Sequence, residues 1–502
     1  MKKIVVCLLL LLHFGALNAQ KVVYSQPDKE DTRQSNFDII GKVSGNILIY
    51  KSVRNNYAIS VYDTDMKLKE RVPIGFLPER IINADFLAYN NFFYMFYQYQ
   101  KKNVVYAMAA RLDGNGKLIG KEMLMDTTEI GFLASNKLYS VVNSDDKQYI
   151  SLFKINSKSD DRFLVTHMLF EKDLVQKGKT RLVVDMPERH DFLTEFLVDN
   201  EGCFAFVRAV QESDNDKASQ IFLFTYKMGD TSATVHSVPL KKMWLDDVRL
   251  KADNYNRHYL ISSFCSKTRR GNIDGMYTCI WDKGTAEAKA ASVILFSEEL
   301  RNEARGDNGT KTAFNDYFIR NLIVRKDGGF ILAAESFFST GRGGANRYGN
   351  TYGSPFLQPM EYYAFGPLGY GYPWYRYNSL GQNIRYNAQN VAVFSFDSTG
   401  QFNWTNILTK SQYDDETDAF IGYSLLNSGD QLHFLFNQQE RRLQLLSAQS
   451  IAPDGKVTRN PTLKNLDQGY DFMARYGKQI GQRQIIFPCM YRNYLCFARL
   501  DF

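Results

Sequence analysis

Short apolar runs alternate with polar turns along most of the chain, and one arrangement of them recurs. In each copy, an apolar run ends at a turn that contains Asp and often Gly, and another apolar run follows. The clearest copies end at Asp63, Asp113, Asp397 and Asp454, and the last covers residues 494–501. Two further apolar runs precede each copy, separated by pairs such as Asn-Asn and Gly-Asp that favour hairpin turns. Each repeat therefore predicts four short antiparallel strands.

The spacing of these repeats indicates the architecture. Eight markers fall near positions 63, 113, 173, 228, 282, 397, 454 and 501. Units of four strands at intervals of about 50 residues are typical of propeller blades. The long interval before 397 holds one clear set of inner strands, at 318–324 and 330–335, and therefore one blade. The expected fold is an all-β propeller of eight blades, with seven as the alternative. The only helix that we expect is a short one near 298–305.

The two ends of the chain predict how the ring closes. The eighth repeat stops after its third strand, at Asp501-Phe502, whereas residues 21–25 form a short strand without partners nearby in the sequence. We expect this N-terminal strand to become the outermost strand of the last blade. Such pairing would remove an exposed sheet edge.

One segment, residues 339–388, departs from the repeat between the second and third strands of blade six. Residues 341–387 contain nine Gly, nine Tyr, four Pro and a single acid, Glu361. Because neither a strand nor a helix period is visible there, the segment predicts a long irregular loop. It either binds a partner or lies as a flexible loop over one face of the propeller. The candidate interaction residues are Tyr362, Tyr363, Phe365, Tyr370, Tyr372, Trp374 and Tyr375, because Tyr and Trp dominate binding hot spots.

The N-terminus resembles an export signal. Lys2 and Lys3 precede an apolar run at 4–12, and small residues follow up to Ala19. We expect residues 1–19 to be a cleavable signal peptide and 20–502 to be the propeller, because the apolar run is too short to span a membrane. Cleavage would lower the formal net charge from +7 to +5. The expected location is the periplasm, the outer envelope or the medium.

Composition narrows the possible partners. The 502 residues are 44% hydrophobic and 14% aromatic, which excludes intrinsic disorder. Basic residues occur in pairs such as Lys241-Lys242 and not in tracts, so we expect no nucleic-acid partner. The expected partners are a protein, peptide or glycan of the cell envelope, and we expect the propeller to be monomeric.

Five Cys follow the predicted signal peptide. An odd number leaves at least one thiol outside any internal disulfide. Cys489 and Cys496 flank a stretch in which Arg492-Asn493 has the form of a two-residue hairpin turn. The two Cys would then face each other across the hairpin, either as a disulfide or as two half-buried thiols.

Residues with catalytic or metal-binding spacing are not apparent. No two of the five remaining His lie within five residues of each other, and nucleophile-elbow, P-loop and His-Glu-x-x-His motifs do not occur. The acidic run at 414–418 and Asp214-Asn215-Asp216 lack the Gly and distal Glu of a calcium loop, and are read as solvated loops. We therefore assign no catalytic residue, no metal and no cofactor.

One stretch carries a resemblance to known families. Residues 394–404, with the sequence FSFDSTGQFNW, resemble the Asp-x-x-x-Gly…Trp repeat of quinoprotein-like propellers and also the Asp-box of sialidases. The stretch differs from both by one residue. A quinoprotein would carry this Trp in most blades, whereas the chain has only four Trp. The chain as a whole resembles the broad group of secreted bacterial β-propeller repeat proteins, many of which bind partners.

Two functions remain open at this stage. The first is an exported, non-catalytic propeller that serves as a binding or scaffolding module. The second is a hydrolase or lyase that acts on glycans or peptides at the central channel, with residues drawn from several blades. Paired carboxylates or Arg with shifted pKa values at the channel would favour the second.

Overall fold

The chain folds into eight antiparallel sheets. The computed structural model describes residues 21–29, 35–131, 137–159, 161–188, 190–213, 216–305, 312–341, 344–347, 385–415, 417–440, 443–459 and 469–502. Strand β1 (Lys21–Tyr24) comes first in the chain but belongs to the last sheet.

Blades 1 to 4 follow one another along the sequence, and each has four strands in sequential order. Blade 1 contains β2 (Ser35–Val43), β3 (Asn46–Val53), β4 (Asn56–Tyr62) and β5 (Leu68–Pro73). Blade 2 contains β6 (Asn83–Ala88), β7 (Phe92–Lys101), β8 (Val104–Asp113) and β9 (Met123–Glu129). Blade 3 contains β10 (Tyr139–Asn143), β11 (Tyr149–Ser159), β12 (Arg162–Glu171) and β13 (Gln176–Asp185). Blade 4 contains β14 (Phe192–Val198), β15 (Phe204–Val210), β16 (Gln220–Tyr226) and β17 (Thr234–Ser237).

Blades 5 to 8 keep this plan with two variations. Blade 5 contains β18 (Trp244–Asp253), β19 (His258–Ser266), β20 (Gly275–Asp282) and β21 (Glu287–Leu295), and helix α1 (Glu298–Ala304) follows it. Blade 6 contains β22 (Tyr317–Val324), β23 (Phe330–Gly341), β24 (Gly344–Arg347), β25 (Arg385–Phe396), β26 (Phe402–Leu408) and β27 (Gln412–Asp414). Blade 7 contains β28 (Tyr423–Asn427), β29 (Leu432–Glu440), β30 (Leu443–Ile451) and β31 (Val457–Arg459). Blade 8 contains β32 (Tyr470–Phe472), a 3-10 turn (Ala474–Tyr476), β33 (Lys478–Gly481), β34 (Gln484–Tyr491) and β35 (Tyr494–Asp501), with β1 at its outer edge.

The inner strands line a central channel, and contacts join β2 to β6, β10 to β14, β14 to β18, β18 to β22, and β33 to both β28 and β2. We call the end of the channel that carries the turns between second and third strands, such as 102–103 and 492–493, the upper face. The end that carries the turns between first and second strands, such as 89–91 and 254–257, is the lower face. This arrangement confirms the predicted eight-bladed propeller, and the helix expected near 298–305 is present as α1.

Blade 8 is completed by strands from both parts of the chain, as predicted. In the register of β1 with β35, Lys21 lies opposite Asp501 and Tyr24 lies opposite Ala498. The pairing continues beyond the strand, since the backbone N–H of Ser25 donates to Phe497 at 2.8 Å. The N-terminal strand therefore covers an edge of β35 that would otherwise be open.

The hydrophobic core is divided into layers that lie between neighbouring blades. One apolar cluster occupies each of the eight junctions, from the blade 1–2 cluster around Phe93 to the blade 8–1 cluster around Phe497. A ninth, small cluster at the upper end of blade 6 contains Phe337, Ala388 and Ile421, the last from the connection to blade 7. Because every sheet buries both faces, its strands are apolar on both sides, which explains the near-continuous apolar runs in the sequence.

The Asp markers of the repeat have a structural role. Asp113 Oδ1 accepts the backbone N–H groups of Asn115 and Lys117 at 2.8 and 2.9 Å. Asp397 likewise accepts from Thr399 and Gln401, at the stretch that resembles an Asp-box. An Asp side chain that bonds backbone groups two and four residues further on holds a tight turn in place. The repeated Asp therefore shapes the turn after the third strand of a blade.

Blade 6 is extended above the upper face, and this corrects the expectation of irregular structure at the ends of segment 339–388. Strand β23 continues to Gly341, β24 pairs with its upper half, and β25 begins at Arg385. Strand β27 pairs with the other edge of β25. In the upper part of the blade, four strands of this six-stranded sheet therefore lie in the order β24-β23-β25-β27. Phe337 and Ala388, which lie opposite each other on β23 and β25, pack in the ninth apolar cluster, and this burial explains why strand structure persists there.

No helix in the described parts of the chain has the length and hydrophobicity needed to cross a membrane.

Candidate functional site

The channel is lined by the open edges of first strands. Side chains bond some of the backbone groups that these edges leave unpaired. Strands β14 and β18 each contain a bulge in which one residue has positive φ. These residues are Glu195, at 58°, and Asp247, at 61°. Glu195 Oε2 accepts the backbone N–H of Leu250 in the next blade at 3.0 Å, and Asp247 Oδ2 accepts that of Ile319 in the blade after it at 2.6 Å. Each carboxylate thus links one inner strand to the next.

Arg249 lies between these two carboxylates. Its guanidinium is 3.3 Å from Glu195 and 2.8 Å from Asp247. Burial raises the pKa of Glu195 to about 7, and the attraction of Arg249 and the Leu250 hydrogen bond only partly offset it. Glu195 is therefore a carboxyl group of the channel wall that exchanges a proton near neutral pH.

A second charged cluster lies at the upper opening, where blades 6 and 7 meet. Glu335, on β23, forms an ion pair with Lys410 at 2.7 Å, and both side chains are at most 3% exposed. Arg320, on β22, is 3.5 Å from the other oxygen of Glu335. Burial lowers the pKa of Lys410, and the attraction of Glu335 partly restores it. A buried ion pair such as this one leaves an uncompensated charge when one partner is removed.

Two arginines contact the ring of Phe337 close to this pair. The guanidinium carbons of Arg320 and Arg475 are 5.2 and 5.8 Å from the ring centroid. Arg475 also bonds Asp418 at 3.1 Å and the hydroxyl of Tyr476 at 3.0 Å. The upper opening therefore combines cationic and aromatic groups from blades 6 and 8.

Strand β24, after which the Tyr/Gly-rich segment (residues 348–384) follows in the chain, lies at this opening. Strand β25 occupies one edge of β23, so β22 and β24 must share the other edge, which faces the channel. Arg347, the last residue of β24, lies opposite Phe338 of β23. Phe337 is the preceding residue of β23, one position toward the lower face. The segment thus leaves the blade on the channel side and returns at Arg385 on the far edge of β23.

The lower opening contains a cavity of about 610 Å³. It lies between the lower ends of β18 and β22 and is lined by Lys251, Asn254, Tyr255, Leu322, Val324 and Arg325, with Asp145 and Asn200 from blades 3 and 4. The two openings of the channel therefore differ in both their residues and their supporting elements.

The seam between blades 8 and 1 adds one more titratable group. Asp38, on β2, is 8% exposed and lies 4.0 Å from Lys478. Burial raises its pKa to about 6, Lys478 acts against this and Asp85 adds to it. Within the described chain, Asp38 Oδ1 has no hydrogen-bond partner.

The sequence-predicted site residues are placed as follows. The seven aromatic candidates, Tyr362, Tyr363, Phe365, Tyr370, Tyr372, Trp374 and Tyr375, lie outside the described residues, and their role stays a prediction. Cys489 and Cys496 lie directly opposite each other in β34 and β35, with sulfurs 2.9 Å apart. The turn between them has positive φ at Arg492 and Asn493, as a two-residue hairpin requires. The facing arrangement is confirmed, and the disulfide stays a prediction.

Two acidic residues of the runs considered for calcium form ion pairs. Asp415 pairs with Arg385 at 2.7 Å, and Asp216 pairs with Arg270 at 2.5 Å. In the parts of the chain that the structure describes, no cluster of three or more His, Cys, Asp or Glu side chains could hold a metal ion. His167, a strand histidine as expected, stacks on Phe204 with centroids 4.1 Å apart, and burial lowers its pKa to about 3.

The charged residues of the channel were not identified from the sequence. Glu335 could have been noticed, because it is a lone charge within the apolar run FILAAESFF of an inner strand. Glu195 and Asp247 give no such signal, since their function depends on a bulge with positive φ that neither residue type indicates. Trp404 docks on the next blade, where its ring nitrogen donates to Pro453 at 3.2 Å, and is therefore a packing residue.

Comparison with known proteins assigns the chain to no family. No family model matches the chain, and no curated protein matches it. The apocarotenoid oxygenase of Synechocystis is similar over 75% of this chain and 74% of its own, with 9% identity and a TM-score of 0.37. Prolyl oligopeptidase B from Galerina marginata is similar over 92% of this chain and 56% of its own, with 8% identity and a TM-score of 0.39. A prolyl endopeptidase gives a TM-score of 0.42 at 8% identity.

Proposed function

We propose that this protein is an exported, non-catalytic propeller that binds a protein, peptide or glycan of the cell envelope at its upper opening. The observation that carries the proposal is the position of β24. It roots the Tyr/Gly-rich segment on the channel side of blade 6, at the level of the Arg-flanked Phe337. Aromatic and arginine side chains are the residue types that dominate binding hot spots.

The extension of blade 6 supports a binding role more than a packing role. Propeller blades need four strands, whereas this blade carries two additional ones that pair only with the upper halves of β23 and β25. Loops that bind partners are commonly held by rigid scaffold elements of this kind. The rigid root would reduce the ordering cost when a partner binds.

Partner capture tests the proposal. The tagged protein without residues 348–384, bridged by a short Gly/Ser linker, is compared with the full mature chain in pull-downs from envelope extract. We expect the captured partner to be lost with the deletion and kept with Tyr494→Ala, an exposed Tyr on the same face. Equal capture by the deletion variant would contradict the proposal. N-terminal sequencing of the exported protein should begin at Gln20.

A second candidate function is favoured by one observation, the raised pKa of Glu195 beside Asp247 and Arg249. A carboxyl group that titrates near neutral pH can act as a general acid or base. In this case the protein would be a hydrolase or lyase for glycans or peptides that enter the channel. Release of reducing ends or amines from a panel of such substrates, abolished by Glu195→Gln but not by deletion of 348–384, would favour this function over the first.

A further inference from the structure

The lower opening has the form of a preorganised ligand site. Its cavity of about 610 Å³ is within the size range of small-molecule pockets. The polar groups around it are fixed by hydrogen bonds between turns of successive blades. Asn200 accepts from the backbone of Asp146 at 3.2 Å, and Asn254 accepts from the backbone of Asn200 at 2.9 Å. A ligand would therefore meet groups that are already ordered, which reduces the entropy lost on binding.

Charges at this opening are matched. Asp145 accepts Lys251 at 2.7 Å and Asn254 at 2.8 Å. Arg325 forms two hydrogen bonds with Asp327, at 3.1 and 2.8 Å. The lining carries three cations, Lys251, Arg325 and Lys326, and two carboxylates, Asp145 and Asp253. With Asp327, which bonds Arg325, these formal charges sum to zero, so the cavity favours neither an acidic nor a basic ligand. Paired ions and amides instead offer donors and acceptors side by side, which suits neighbouring hydroxyl groups.

An aromatic face and an apolar wall complete the site. Tyr255, at the turn of blade 5, is 78% exposed and borders the cavity. Leu322 and Val324 line it as partly buried side chains of β22. A Tyr ring combines an apolar face with a hydroxyl group, and a sugar ring likewise has apolar C–H faces and a polar rim.

The inner strands are poorly suited to a peptide that would bind by strand addition. Such a peptide needs a run of unpaired backbone groups along a sheet edge. Asp247 already occupies the N–H of Ile319 on β22, and Glu195 occupies that of Leu250 on β18. The edges of β18 and β22 are therefore interrupted above the cavity, so a strand running along them could not pair continuously.

From these features we infer that the lower opening binds a neutral saccharide of one to three rings, with Tyr255 stacking on a ring and Asp145, Lys251 and Asn200 contacting its hydroxyl groups. This site is separate from the upper opening of the proposed function, and either can exist without the other.

The inference is tested with the full mature chain and defined probes. Ligand-observed NMR is run with maltose, cellobiose, lactose and N,N′-diacetylchitobiose, with digalacturonate as the acidic sugar and trialanine as the peptide, and hits are titrated by calorimetry. We expect a neutral saccharide to bind with a Kd between about 0.1 and 10 mM. Tyr255→Ala should weaken it at least tenfold, and Asp145→Asn should weaken it severalfold.

Two controls keep the outcome decisive. Tyr494→Ala removes an exposed Tyr on the opposite face and should change the Kd less than twofold, and deletion of 348–384 should leave it unchanged. Since Tyr255 is largely exposed, its replacement should not alter the thermal midpoint. Binding of no neutral saccharide, preference for the acidic sugar or the peptide, or equal affinity in Tyr255→Ala would each overturn the inference.

Discussion

Blades 6 and 8 both depart from the four-strand repeat, but in opposite ways. Blade 8 is interrupted in sequence, since β1 and β35 are 470 residues apart, and yet it has a regular outer edge. The strands of blade 6, from β22 to β27, are consecutive in the chain, and yet the blade carries two extra strands and an additional apolar cluster at its upper end. Additional strands are thus accommodated at the upper face of blade 6, whereas in blade 8 the added strand covers the outer edge of β35.

The largest loss of stability is expected when the closing strand, β1, is removed. Deleting residues 21–25 exposes the edge of β35. It also removes Val22 and Tyr24 from the apolar cluster between blades 7 and 8, and Val23 from the one between blades 8 and 1. We expect a loss of about 4–5 kcal/mol, measured as a fall of about 5 °C or more in the thermal midpoint. Deletion of five residues within the Tyr/Gly-rich segment, 362–366, is the matched control. A midpoint equal to that of the control would contradict the role given to β1.

Blade 6 should be sensitive at its buried ion pair. Glu335→Gln leaves the Lys410 ammonium, 1% exposed, without its counter-charge. The expected loss is about 3–5 kcal/mol in urea unfolding. The double variant Glu335→Gln/Lys410→Met should recover most of it, because it removes both charges.

The control for the ion pair is Arg385→Gln, which breaks the exposed pair with Asp415 on the same extension. It should change stability by less than about 1 kcal/mol. If the double variant is less stable than Glu335→Gln, the two charges do not act as a pair.

The seam between blades 8 and 1 should show a pH dependence. The pKa of Asp38 is about 6 in the folded chain and 3.8 as its ordinary value. The folded state therefore favours the protonated form, and stability falls as pH rises through 6. We expect Asp38→Asn to stabilise the protein at pH 8 by up to about 3 kcal/mol, with no gain below about pH 4. The control Asp173→Asn, at a 70% exposed Asp, should change stability by less than about 0.5 kcal/mol. A gain in Asp38→Asn that is independent of pH would refute the assignment.

A disulfide would strengthen the last hairpin of blade 8. Oxidation of Cys489 and Cys496 closes a short loop and should add at most about 2 kcal/mol. Intact mass without reductant should be lower by about 2 Da than with reductant, and the difference should vanish in Cys489→Ala. An unchanged mass after export would show two free thiols.

The smallest effect is expected for the segment rooted on blade 6. Deleting 348–384 leaves β23, β24 and β25 in place, so the thermal midpoint should move by no more than about 2 °C. A larger fall would mean that the segment is part of the core and would remove the contrast with β1.

The sequence predicted the repeated four-stranded blades and the strand that closes the ring. The Asp turns recur because each closes the same two strands, and β1 was recognisable because blade 8 lacked one strand. The charged residues of the channel were missed because single charges such as Glu195 and Arg249 come together only through the ring. The strands at the ends of segment 339–388 were missed because Gly344 to Arg347 have no strand periodicity and pair through their backbone.

The position of the two ends of the described chain has a practical consequence. Lys21 pairs with Asp501 at the outer rim of the lower face, and Phe502 follows there. A tether or affinity tag joined at either point would hold the molecule by this face. On a sensor surface, the upper opening would then be directed into solution, whereas the saccharide site would face the support. Immobilisation through either end therefore suits partner capture at the upper opening, whereas the saccharide titrations are performed free in solution.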